Sequence, residues 1–210
     1  GIFEIHDSNI IFNELHYDSV YHEHLCFFTL KSITYLLNKF NLTPFNIKKS
    51  PISGGSFVIY FSKKKKNISE DLKLAILNEE NSKINQADSW KNFALKVKDH
   101  KDEMKKIIDN FSEKKVIGFG SSARSQTFLN YCNINEKNMD LIIDNNPMKQ
   151  NLYSPGTNIK IVDIDSGISS KPDAIFILAW NFKDEIIKEC RSAGYNGEFI
   201  VPFPIKPKII

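Results

Sequence analysis

Beyond residue 113 the chain alternates short apolar runs with amphipathic stretches, and few folds accept that pattern. The runs at 115–119, 139–144, 158–162, 174–178 and 198–201 read as strands. The stretches 123–132 and 182–193 read as helices, the second stopped by Gly194. Pro202 and Pro204 close the last strand. Strands alternating with helices imply a parallel sheet with right-handed crossovers.

The first half has a different rhythm. Ile10, Ile11, Phe12 and Leu15 suggest a short helix within 1–17. Thr29 caps a helix carrying Ile33, Leu36, Leu37 and Phe40. A strand at 43–48, a loop around Ser53-Gly54-Gly55-Ser56 and a return strand at 57–61 follow. Ser69 caps a polar helix through Leu72, Ile76 and Leu77, and Lys63 to Lys66 form a solvated charge run. From 88 to 111 the apolar residues recur at threes and fours, predicting an amphipathic helix of about 36 Å at 1.5 Å per residue. The polar stretch Lys98 to Lys101 marks an expected bend in it.

Composition excludes several classes. The 210 residues are 41% hydrophobic and 25% charged, with a net charge of only +3. That balance belongs to a globular domain and gives no general attraction to nucleic acid or an anionic membrane. No apolar stretch approaches the ~20 residues of a spanning helix. The chain opens without a methionine or a basic n-region, so it reads as part of a longer protein without a secretory signal. Cys26, Cys132 and Cys190 form no paired motif, which fits a reduced, cytoplasmic setting.

Chemistry concentrates in two places. Tyr21-His22-Glu23-His24-Leu25 puts a phenol, two imidazoles and a carboxylate side by side, directly before apolar Cys26-Phe27-Phe28. Such groups need partners once desolvated, as in a proton-transfer or metal site. A general base with supporting groups, a structural histidine pair and a zinc site joined by His16 all remain open. The second place is Gly118-x-Gly120-x-x-Ala123, between a strand and a helix, where glycines allow a tight turn and the helix start offers N–H groups to an anion. Ser121, Ser122 and Ser125 add hydroxyls and Arg124 a charge, while Asp144 falls where a dinucleotide fold puts its ribose-binding acid. A bare glycine turn, a site for a phosphorylated ligand and an NAD site are all compatible with this. Trp180-Asn181, and Asn145, Asn146 and Lys149, follow strands at the sheet edge where open α/β sheets take ligands.

In order along the chain, these pieces resemble the S-adenosyl-L-methionine-dependent C-methyltransferases that act on nucleotide-linked 4-keto deoxysugars. The resemblance rests on Tyr21-His22-Glu23-His24-Leu25, Ser53-Gly54-Gly55-Ser56, Gly118 to Ala123 with Leu129-Asn130-Tyr131-Cys132, Asp144-Asn145-Asn146-Pro147 with Lys149-Gln150, Tyr153-x-Pro155-Gly156-Thr157 and Ala179-Trp180-Asn181-Phe182. Two departures stand out: Arg124-Ser125-Gln126 where the family often has Lys-Gly-Asn, and Cys26-Phe27-Phe28 where a tyrosine is common.

The resemblance implies a Rossmann-like, doubly wound C-terminal domain at 113–210. Ahead of it come the C-terminal edge of a class I methyltransferase fold at 1–66, a helix plus an antiparallel strand pair, and a helical connector at 67–112. It implies His24 as the base that deprotonates carbon beside the keto group, Glu23 as the residue that orients or tunes an imidazole, and Tyr21 as a support for substrate or oxyanion. Gly118, Gly120, Ser121, Ser122, Arg124, Asp144, Lys149, Trp180 and Asn181 are the expected substrate-binding residues, for a nucleotide-diphosphate sugar and with no metal ligand among them. S-adenosyl-L-methionine is the implied cofactor, although its glycine-rich loop is not in this sequence, so the isolated chain is expected to be inactive. The alternative is a non-catalytic module that binds a nucleotide sugar or NAD.

Overall fold

The computed structural model describes residues 1–210, with Ser53 described through its backbone alone. The residues group into two compact units, Gly1–Leu15 with His24–Leu95, and His16–Glu23 with Lys96–Ile210.

The first unit holds β1 (Ile2–His6), α1 (Ser8–Asn13), α2 (Leu30–Asn38), β2 (Thr43–Ser50), β3 (Ser56–Ser62), α3 (Glu70–Ser82) and the start of α4 (Ala87–Asn110). Its sheet runs β1-β3-β2, with both outer strands antiparallel to β3. The expectation of a short helix alone in 1–17 misses β1. Its apolar residues Ile2, Phe3 and Ile5 fall on both faces, and its partner lies far along the chain, with Ile2 opposite Tyr60 and His6 opposite Ser56.

Helix α2 starts at Thr29 as expected. Thr29 Oγ1 accepts the Ser32 N–H at 3.2 Å, and Ser32 Oγ accepts the Thr29 N–H at 2.9 Å. The buried carboxylate of Glu79 takes up two more helix-start donors, the N–H groups of Leu30 and Lys31. Leu30, Ile33 and Leu37 then face Ile47, Phe57, Ile59 and Leu72 in one apolar cluster. Phe12 stacks on Phe93 with ring centroids 5.8 Å apart and meets Trp90 edge-on.

Helix α4 runs on through Lys98–Lys101, so the polar stretch does not end it. Its buried stripe runs Val97, His100, Met104 and Ile108. The stretch that looks like a polar interruption therefore carries a core position, filled by an imidazole. His100 Nε2 donates to the Pro202 carbonyl at 2.8 Å, which leaves Nδ1 to accept the Tyr17 hydroxyl at 3.1 Å. Phe203 stacks on the ring, its plane only 11° away. Tyr17 O–H also reaches Cys132 Sγ at 3.4 Å, and burial pushes that thiol up to about 11.

The second unit is a mixed α/β layer with a sheet dominated by parallel strands. β4 (Val116–Phe119), β5 (Leu141–Ile143), β6 (Lys160–Val162), β7 (Ala174–Ile177) and β8 (Glu198–Val201) are parallel in the order β6-β5-β4-β7-β8, and β9 (Lys208–Ile209) adds an antiparallel edge. That order, with the chain leaving the central strand in both directions, is Rossmann-like. Helices α5 (Ala123–Cys132), α6 (Ile164–Ser169) and α7 (Lys183–Ser192) complete the layer. On one face Ile117, Phe119, Ile175 and Ile177 pack with Ile186 and Cys190 of α7. On the other, Phe176 meets Phe128 of α5 at 5.7 Å. The sheet is thus covered on both sides, which explains strands with no polar alternation.

Two pH effects of opposite sign follow. Burial holds His100 below the usual imidazole range, so unfolding binds a proton and its contribution falls as pH drops through about 6.5. The difference in urea unfolding free energy between wild type and His100→Gln should shrink from pH 7.5 to pH 5; a constant difference would show the ring to be hydrated. In the first unit, burial first and then Glu79 raise Asp7 from 3.8 to about 6, against the Asn9 and Ile10 N–H groups and Lys49. The folded form here holds its proton more tightly, so the ionised carboxylate costs stability above about pH 6 and nothing below 3.8. Asp7→Asn keeps the helix cap and should stabilise the chain at pH 7.5 by on the order of 2 kcal/mol, vanishing below pH 4. A gain independent of pH would sink this account of Asp7.

Candidate functional site

The turn after β4 depends on Gly120. Its φ of +96° is one that L side chains rarely adopt, and a Cβ there would lie 2.5 Å from Ala179 Cβ. Its N–H reaches across to the Ile143 carbonyl at 2.7 Å. Gly118 lies two residues earlier, within β4, where an added Cβ would meet Leu178 and Met139 at 2.8 Å. Ser122 caps α5 through the Ser125 N–H at 3.1 Å, and Ser125 Oγ accepts the Ser122 N–H at 3.3 Å. Asp144, almost fully buried, accepts the Ser121 N–H at 2.7 Å, the Asn146 N–H at 2.9 Å and Lys149 Nζ at 3.3 Å. Lys149 also donates to the Ser121 carbonyl at 2.8 Å. Asp144 thus ties the glycine turn to the loop after β5.

Open α/β sheets take ligands where the chain leaves the central strand in two directions, here at the carboxyl ends of β4 and β7. In this unit that crevice holds the protein's own segment, a 3₁₀ turn at Tyr17–Ser19. Asp18, 1% exposed, accepts Arg124 Nε and Nη2, each at 2.9 Å, in a bidentate pair. Its Oδ2 also accepts Trp180 Nε1 at 2.9 Å. The guanidinium lies 4.9 Å from the centre of the indole ring, and His16, fully buried, packs on that indole at 4.5 Å. Removing one member of such a desolvated pair strands the other, typically at ~3–5 kcal/mol.

Beside this clamp opens a cleft of about 530 Å³. Tyr21 and His22 form part of its wall, with Ser121 and Ser122 at the start of α5, Gln126 and Asn130 along it, and Lys149, Leu152, Tyr153, Pro155 and Ile161 from the β5–β6 region. The helix start and Lys149 offer donors and positive charge, and the remaining wall is largely apolar and aromatic. Burial, then the charge of Glu23, raise the Tyr21 phenol, so it stays protonated and remains a hydrogen-bond donor.

The acid–base run divides at the unit boundary, Tyr21 to Glu23 in the second unit and His24 in the first. It is a bend and a turn followed by irregular backbone, neither strand nor helix. Within the first unit His24, half-buried, meets His6 edge-on with ring centroids 5.9 Å apart and Phe27 at 6.0 Å. His6 ends β1 and directly precedes Asp7.

Of the expected residues, Tyr21, Ser121, Ser122 and Lys149 come together around one cleft. Arg124 and Trp180 engage Asp18, while Gly118, Gly120 and Asp144 shape the turn from beneath. Glu23 and Asn181 are exposed, and neither lines the cleft. Sequence reasoning missed Asp18, which reads as one more loop carboxylate, and His6, which sits at the end of an unrecognised strand. Among the described residues no group of three or more His, Cys, Asp or Glu is arranged to hold a metal ion. No helix of the described residues is long and apolar enough to cross a membrane.

A mixed α/β unit with an anion-friendly cleft at its strand ends is the architecture of many ligand-binding lobes, and comparison narrows it. Residues 51–204 match the model of the C-methyltransferase C-terminal domain, well over half of the chain, and the chain belongs to that family. It is 26% identical over 201 residues to the C-methyltransferase NovU of Streptomyces niveus, covering 92% of this chain and 47% of NovU. The chain therefore spans about half the length of the curated relative it matches.

The conformation of Gly120 is testable. Gly120→Ala places a side chain at a positive φ and against Ala179, which should cost about 2–3 kcal/mol and lower the thermal midpoint by roughly 5–10 °C. An unchanged midpoint in differential scanning calorimetry would show that the turn does not cross Ala179 as described.

Proposed function

We propose that the chain is the C-terminal part of an S-adenosyl-L-methionine-dependent sugar C-methyltransferase and that its second unit holds a nucleotide-diphosphate sugar. The observation that carries this reading is the single cleft that Tyr21 and His22 line together with Ser121, Ser122 and Lys149. Serine hydroxyls, helix-start N–H groups and a lysine suit a diphosphate, and Leu152, Tyr153 and Ile161 suit the flat face of a base. In this reading His24 takes the proton from carbon beside the 4-keto group, and the charge left behind moves onto the keto oxygen. Tyr21, held protonated, donates to that oxygen, and Glu23 tunes a neighbouring imidazole.

The strand order of the first unit supports its assignment as the edge of a methyltransferase sheet. β1 and β2 run the same way on either side of an opposed β3, as expected if β1 continues a parallel sheet. The described residues do not build a site for the methyl donor. The glycine turn of the first unit, Gly54–Gly55, joins two antiparallel strands rather than a strand to a helix. The glycine turn of the second faces a crevice that Asp18 already fills. No step is therefore derived through S-adenosyl-L-methionine, and the 210-residue chain alone should transfer no methyl group. A dinucleotide-binding module is the weaker reading, because the acid expected on a ribose, Asp144, already serves Ser121, Asn146 and Lys149.

The test uses the longest natural form of the protein that contains this sequence. His24→Asn should lower methyl transfer from labelled S-adenosyl-L-methionine by ~10²–10⁴-fold, with nucleotide-sugar affinity within about twofold of wild type. Wild-type turnover in that variant would remove His24 from the role of base.

A further inference from the structure

We propose that Asp18 is a positioning residue, whose clamp on Arg124 and Trp180 fixes the chain segment that delivers Tyr21 and His22 to the cleft. This rests on the cleft reading above for its consequence in binding, but not for its geometry. Asp18 makes three short contacts to two side chains that begin different crossovers of the sheet, Arg124 in the first turn of α5 and Trp180 just after β7. Both were expected to meet substrate, yet the protein's own carboxylate takes them. Tyr21 and His22 follow Asp18 by three and four residues, and a chain extends at most ~3.3–3.6 Å per residue. Their Cα atoms are therefore tethered within about 10–14 Å of that of a buried anchor. The link between is Ser19, fully buried beside the anchor, and Val20, which is exposed. Buried His16 and Tyr17 flank the anchor on its other side, so the order imposed by the clamp passes forward toward the cleft wall.

This arrangement explains why the acid–base run needs no regular secondary structure. The desolvated, bidentate ion pair anchors the segment that carries those rings, where no backbone ladder does. It also gives the switch-point crevice a role other than dinucleotide binding, with Asp18 standing where a ligand anion would sit.

The experiment is performed on the 210-residue chain by nuclear magnetic resonance, with three proteins compared: wild type, Asp18→Asn, and wild type with two glycines inserted between Val20 and Tyr21. The Trp180 indole N–H, identified by its loss in Trp180→Phe, reports the clamp. Backbone order parameters at Tyr21 and His22 should fall from about 0.85 to below about 0.6 in both altered proteins. The insertion should leave the Trp180 signal and the thermal midpoint unchanged, so it decides the matter even if Asp18→Asn folds poorly. Order parameters that stay high after the insertion would overturn the proposal. Uridine and thymidine diphosphate are then titrated as probes. If either binds wild type, affinity should weaken at least about tenfold in both altered proteins; equal affinity would also overturn it. If neither binds wild type, the cleft reading fails, while the order parameters still judge the clamp.

Discussion

A carboxylate without water must be met by a cation and by donors aimed at its lone pairs, and Asp18 meets both conditions at the busiest point of the second unit. The crevice between β4 and β7 is where a doubly wound sheet leaves its loops splayed apart. Arg124 and Trp180 close on Asp18 from the two sides of that gap. Gly120 lets the two loops approach, because only a residue without a Cβ fits against Ala179 there. The contact lies between the glycine turn, which Asp144 ties to the loop after β5, and the segment before the acid–base run.

The same region divides labour between groups that look alike in sequence. Asp144 and Asp18 are both buried acids near a helix start, yet Asp144 binds backbone and Lys149 while Asp18 binds side chains. Ser122 and Ser125 cap a helix, whereas Ser121 turns its hydroxyl to Gln126 at 3.1 Å beside the cleft. His16, His22, His24 and His100 occupy four environments: an aromatic slot on Trp180, an open cleft wall, an edge contact with His6, and a core hydrogen-bond relay. Burial, more than residue type, decides which of them could exchange a proton with a ligand.

Much of the fold was legible because local period reports burial. The strands from β4 to β8 and the helices α5 and α7 follow from apolar runs and threes-and-fours spacing, and Thr29 and Ser69 announce helix starts through capping, whereas Ser122, read as a ligand hydroxyl, caps α5. Misreadings arose where a polar residue sits in the core or a partner is remote. His100 made α4 look interrupted, although its hydrogen bonds to Tyr17 and Pro202 let it fill an apolar stripe. β1 carries no clean alternation, so only pairing with β3 defines it. The two-residue β9 depends wholly on β8.

The amino-acid sequence by itself determined the alternating layer, its parallel sheet, the glycine turn into α5 and the family resemblance, because each is written in short-range spacing that any chain with those residues must obey. It could not say which charged groups meet. Asp18 and Arg124 lie 106 positions apart and Asp18 and Trp180 lie 162 apart, and no local rule links them. Only the tertiary structure decided that Arg124 and Trp180 serve the chain's own carboxylate, that Tyr21 and His22 line one cleft with Lys149, and that His24 meets His6 edge-on. The reason is physical: long-range contacts form where desolvated charges find their partners, and desolvation is a property of the packed chain rather than of any stretch of it.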